Sequence, residues 1–165
     1  MGKEFNTEQM DGLFAGTPAL EALRFLIHEA ATVRSDEPLG SKVLMINDVS
    51  RAFFEAAATR DISVELPEEA LTEAYKGLHL VGHLRMSLYG TRDAASKWEE
   101  CYSAALIDMR FKQGFSSPCV FYYPLRDILT GVYGDDFTSL CVESGLLWLR
   151  DSIKAKFLIK DRGIW

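Results

Sequence analysis

The run from Leu129 to Val142 constrains the fold more than any other part of the chain. Two apolar arms of strand composition, Leu129-Thr130-Gly131-Val132-Tyr133 and Phe137-Thr138-Ser139-Leu140-Cys141-Val142, flank Gly134-Asp135-Asp136. Such a pattern predicts a β-hairpin with acids at its tip. Successive strand residues point to opposite faces, so Asp135 and Asp136 cannot aim alike. One can face a site above the sheet while the other supports it from the flank. Adjacent carboxylates repel each other unless a cation offsets them, and a divalent metal is the natural candidate. The same Gly-Asp chemistry also makes ordinary solvated turns.

A second apolar run, Val43-Leu44-Met45-Ile46, has the composition of a strand buried on both faces and ends at Asn47-Asp48. An acid at the end of such a strand needs its charge offset. Ahead of it, residues 1–16 read as a poorly ordered lead-in, and Thr17-Pro18 opens a helix with Leu20, Leu23 and Ile27 along one stripe. Ser35 to Gly40 is a loop by composition. Further on, Ile62, Val64 and Leu66 alternate as a half-buried strand, a short acidic helix spans Pro67 to Tyr75, and Leu84, Met86 and Leu88 alternate again. Arg92 to Phe111 has helical period, with Arg92 and Lys97 near the end that favours anions. Val120 to Tyr123 is a strand, Ser144 caps a last helix, and a short strand follows it. The order predicts an α+β fold, a mostly antiparallel sheet with helices packed on one face.

At 165 residues the chain suits one domain, and no apolar run approaches a membrane span. The first residues lack the apolar core of a signal peptide. Cys101, Cys119 and Cys141 are far apart and odd in number, which fits reduced, mostly buried thiols in an intracellular protein rather than a disulfide frame or a zinc site. The net charge of −6 argues against a simple nucleic-acid-binding module. It is uneven: residues 1–82 hold 7 Lys and Arg against 14 Asp and Glu, whereas residues 83–165 hold 11 against 10. Phosphate contacts therefore suit the second half.

Asp48 and the Asp135/Asp136 pair are the carboxylates placed at ends of strongly apolar strands. If those strands are neighbours, the three acids converge, as in-line phosphoryl displacement by two divalent ions roughly 3.5–4 Å apart requires. Oxygen ligands favour magnesium or manganese over zinc. The sequence offers no His/Cys cluster, Ser/His/Asp arrangement, Walker-type loop or dinucleotide fingerprint.

With these motifs the chain resembles the reverse transcriptase domain of copia-type LTR retrotransposons. Met45-Ile46-Asn47-Asp48-Val49-Ser50-Arg51-Ala52-Phe53 is similar to the first polymerase motif, and Tyr133-Gly134-Asp135-Asp136 to the catalytic Tyr-x-Asp-Asp box. Met86-Ser87-Leu88-Tyr89-Gly90 with Trp98 resembles the Ser-Leu-Tyr-Gly block. Phe157-Leu158-Ile159-Lys160-Asp161-Arg162-Gly163 resembles the Phe-x-x-Lys-Asp-x-Gly element. The family usually continues Leu-Lys-Gln-Ala-Pro after Tyr-Gly; here Thr91-Arg92-Asp93-Ala94-Ala95 stands instead.

The resemblance implies a polymerase palm with a split βαβ sheet and partial fingers over 17–165, thumb and ribonuclease H being absent. It implies RNA-directed DNA polymerisation by nucleotidyl transfer to a primer 3′-hydroxyl with two magnesium or manganese ions. Asp48, Asp135 and Asp136 would be catalytic metal ligands, Val49 would lend its carbonyl to a metal, and Lys160 would be the proton donor to pyrophosphate. Phe53, Tyr89, Gly90 and Arg92 would contact the nucleotide, with Phe53 excluding a 2′-hydroxyl. The implied partners are a primed RNA or DNA template, deoxynucleoside triphosphates and the remaining polyprotein segments (fingers, thumb, ribonuclease H and integrase), with no membrane. Two alternatives stay open: a decayed or domesticated remnant with the fold but no catalysis, and an RNA-directed RNA polymerase.

Overall fold

The computed structural model describes residues 13, 15–32, 42–78 and 80–165. Most of the expected lead-in, and the whole loop expected over 35–40, lie outside these residues. Helix α1 (Leu20–Ala31) precedes strand β1 (Val43–Val49), and a 3₁₀ turn at Ala52–Glu55 follows. Strands β2 (Ser63–Glu65) and β3 (Val81–His83) pair as a small separate antiparallel ribbon. Helix α2 (Ala94–Asp108), β4 (Lys112–Gln113), β5 (Val120–Tyr123), β6 (Ile128–Tyr133), β7 (Asp136–Cys141), α3 (Glu143–Lys154) and β8 (Ile159–Ile164) complete the chain.

The main sheet has the order β4-β5-β6-β7-β1-β8, with antiparallel pairing throughout. β1 enters between β7 and β8; of its apolar run Met45 is buried, whereas Leu44 and Ile46 on the other face are half-buried, so the expected burial on both faces is met on one. β6 and β1 both run antiparallel to β7 and therefore parallel to each other, with β7 between them.

Alternation along the strands sorts the two faces. Met45 and Val49 of β1, Ile128 and Val132 of β6, and Phe137 and Cys141 of β7 join a core closed by Trp98, Tyr102 and Leu106 of α2 and by Leu146, Leu149 and Ile153 of α3. Trp98 sits edge-on to Phe157 at 5.2 Å and to Tyr102 at 5.5 Å between ring centres, a favoured aromatic geometry. Thr130 and Ser139 satisfy each other across the strands at 3.0 Å on this dry side.

The expectation that all helices pack on one face is corrected: α1 lies on the other. A Cβ built on Gly131 would point at Leu26 Cδ1, 3.4 Å away, whereas its neighbours Thr130 and Val132 face the α2–α3 side. The physical reason is that Leu129 and Leu140 leave this second face apolar as well; Leu140 is buried there and Leu129 half-buried. Within α1 only Leu26 is buried; the expected stripe of Leu20, Leu23 and Ile27 remains 55%, 39% and 51% exposed.

Local differences follow from short range. The acidic helix expected over Pro67 to Tyr75 is two 3₁₀ turns, Glu68–Ala70 and Glu73–Tyr75. The strand expected at Leu84 to Leu88 pairs earlier, as β3, and Met86 makes an isolated bridge to Ala57. The last helix starts from Val142 rather than from a Ser144 cap. Among the described residues no helix is long and apolar enough to cross a membrane.

Candidate functional site

β6 and β7 are joined by Gly134 and Asp135 alone, with Tyr133 opposite Asp136. Gly134 takes φ +62, the left-handed conformation that a two-residue hairpin asks of its first loop residue. Two contacts hold this turn. The Trp98 indole N–H donates to the Gly134 carbonyl at 2.7 Å, tying the turn to the core helix α2. The Val49 N–H donates to the Asp135 carbonyl at 2.8 Å, tying it to the end of β1.

This second contact brings the acids together. Asp48 stands directly opposite Asp136 in the β1–β7 register, so both side chains leave the same face of the sheet. On its other side Asp48 faces Lys160 of β8. Asp136, Asp48 and Lys160 thus form a row across three strands, with Asp135 in the turn above. Partial burial, then the charges of Asp135 and Asp48, push the Asp136 carboxyl above its ordinary value, and Arg162 pulls it back. Partial burial followed by Asp135 and Asp48 raises the Tyr89 phenol too, which brings Tyr89 into the field of the acids.

Tyr89 packs on Phe53 at 4.3 Å between ring centres and on Phe54 at 6.0 Å. Phe53 lies in the 3₁₀ turn that leaves β1, so the aromatic pair and the acids share one end of the sheet. Gly90 adopts φ +99 in the tight turn that follows, where Thr91 N–H and Oγ both reach the Leu88 carbonyl. Arg92 is half-buried just ahead of α2. Asp93, one of the departures noted above, is buried and ion-paired with Arg60 at 2.7 Å, so its carboxylate serves to join two segments of the fold.

Sequence reasoning missed Arg162. Its guanidinium donates to Asp48 Oδ2 at 2.7 Å. The signal in the sequence was a cation beside Gly163, within the Phe157-to-Gly163 element. Among the described residues no group of three His, Cys, Asp or Glu side chains is already arranged to hold a metal ion. The donor chemistry nonetheless suits a hard divalent cation, since carboxylates and backbone carbonyls are all oxygen. One oxygen of Asp48 is engaged by Arg162 instead.

A cavity of about 500 Å³ between α1 and the sheet opens beside this row, bounded by Leu23, Leu26, Gly131, Tyr133, Asp136 and Thr138.

Over 120 residues, 70% of its length, the chain is 28% identical to a retrovirus-related Pol polyprotein from transposon TNT 1-94 of Nicotiana tabacum. The matched stretch spans 9% of that polyprotein. No family model and no solved structure matches the chain. The similarity supports a retrotransposon Pol-polyprotein origin. It also corrects the function implied by the motifs. The relative's name is that of a Pol polyprotein and does not mark the matched segment as a reverse transcriptase, so neither polymerase assignment is retained for this chain.

Proposed function

We propose that the sheet end formed by Asp48, Asp135 and Asp136 binds magnesium or manganese, as a pair of ions, and serves phosphoryl transfer on a nucleotide-class ligand within a Pol-type polyprotein. The observation behind this reading is the cross-strand pairing of Asp48 with Asp136 beneath a turn that carries Asp135. The strand order, with β7 inserted between the parallel β1 and β6, supports regarding the sheet as palm-type.

Each residue has a role its position allows. Asp48, Asp135 and Asp136, with the Val49 carbonyl, would hold the ions. When bound, the ions would neutralise charge on phosphate oxygens and on the attacking oxygen. Phe53 and Tyr89 form an aromatic wall at the same end, suited to stacking a sugar or base. The turn containing Gly90 and Arg92 would shape the floor beside it. Lys160 is exposed beside Asp48 and carries an ammonium proton within the row, where a leaving phosphate oxygen could take it. The remaining polyprotein segments would supply the rest of the ligand's contacts.

Calorimetric titration with manganese tests the reading. The wild-type chain should bind, and Asp48→Asn and Asp136→Asn should each weaken binding by about tenfold or more. Saturating manganese should raise the melting temperature of the wild type far more than that of either variant. Equal affinities, or equal thermal shifts, would overturn the assignment. A second reading, the fold kept without cation binding, has one observation in its favour: Arg162 already offsets the charge of Asp48.

A further inference from the structure

We infer that Arg162 is a tethered competitor for the cation: its guanidinium occupies Asp48 in the ion-free protein and swings out to solvent as an ion enters. This rests on the cation site proposed above and sets how tightly that site binds.

Arg162 stands at an irregularity of the sheet. Ile46 pairs with Gly163 and Asn47 with Asp161, so the β1–β8 register slips by one residue and Arg162 is left over as a bulge. Bulges redirect a side chain and sharpen the local twist. Gly163 takes φ +117, a conformation that side chains other than hydrogen rarely adopt. In unbroken alternation Arg162 would stand opposite Ile46, on the face of Lys160 and Asp48; at the bulge it has no cross-strand partner, and its guanidinium donates to Asp48 Oδ2.

The environment explains both halves of the exchange. The Asp48 side chain is 18% exposed, so its charge is costly without a partner, and Arg162 supplies one. The Arg162 side chain is 56% exposed, and β8 is the edge strand, so the guanidinium can leave into water without disturbing the core. A doubly charged ion offers the same neutralisation to three ligands at once, whereas the guanidinium bonds one.

Manganese titration of the full chain, with folding checked by circular dichroism, tests this. Arg162→Gln should raise manganese affinity by about fivefold, the upper range for releasing a partly exposed ion pair. Lys160→Gln removes the same charge from the neighbouring position and controls for the general field; its gain should be clearly smaller. Arg162→Lys should bind close to wild type. Equal gains in Arg162→Gln and Lys160→Gln, or none in Arg162→Gln while Asp48→Asn still weakens binding, would overturn the competitor role and leave the cation site standing. No manganese binding by the wild type or by Arg162→Gln would overturn both.

Discussion

The two faces of the main sheet are built from alternate residues of the same strands, yet they differ in almost every physical property. Under α2 and α3, Trp98, Phe121, Phe137, Leu146 and Leu149 are essentially fully buried, and the one cross-strand hydroxyl pair is satisfied. On the α1 side the helix itself buries only Leu26, which meets Gly131, a cavity remains, and the strands end in carboxylates. The difference teaches where stability and chemistry reside. Dispersion and hydrophobic burial reward the closely packed face, while a row of like charges can be tolerated only where water or a cation reaches it.

The largest break in this contrast should come from Trp98, which belongs to both sides. Trp98→Ala removes a fully buried ring and the donor to Gly134, and should cost about 3–5 kcal/mol in urea unfolding. Trp98→Phe keeps most of the ring but not the indole N–H; it should cost about 1 kcal/mol. If the turn matters for the acids, it should also weaken manganese binding beyond that stability loss. A Trp98→Phe protein with wild-type manganese affinity would mean that the turn holds its shape without the indole.

Leu26→Ala tests the loose face. It should cost about 2 kcal/mol, the lower end for a buried leucine, because α1 can settle into the adjoining cavity. Hydrogen exchange should quicken in α1 well before α2 or α3. Uniform loss of protection across the chain would instead make α1 part of the same cooperative core.

The smallest expected effect concerns Asp136. Its carboxyl titrates above the ordinary 3.8, so the folded state holds a proton that the unfolded state has released. The stability tied to that proton is complete below 3.8 and is lost as pH climbs through the raised value. Asp136→Asn, neutral throughout, should therefore melt at a higher temperature than wild type at pH 7 without metal. The gain should fade as pH falls below 3.8. A gain independent of pH would show that packing, and not repulsion, limits this position.

Much of the packed face was legible in the sequence because its signals are local. The Val43-to-Ile46 run, the β5 limits and the arms of the acidic hairpin follow from period and composition; of the α2 side expected from period, Ala94, Trp98, Tyr102 and Leu106 are buried, while Cys101, Ala105 and Met109 are half-buried. The α1 stripe misled because Leu20, Leu23, Phe25, Leu26 and Ile27 surround much of the helix, so periodicity alone did not select Leu26 as the buried residue. Asp93 read as a flaw in a motif, and its partner Arg60 lies 33 residues away, beyond any local pattern.

By itself, then, the order of residues determined most of the longer strands and helices, that three acids lie at the ends of apolar strands, and that Gly134 opens the turn carrying two of them. Those properties depend on neighbours a few residues apart. Only the tertiary structure decided that Asp48 faces Asp136, that α1 covers the opposite face from α2 and α3, and that Arg162, unpaired at the bulge in β8, donates to Asp48. Register and bulges are settled by contacts between distant strands, where a shift of one residue reverses which face a side chain meets.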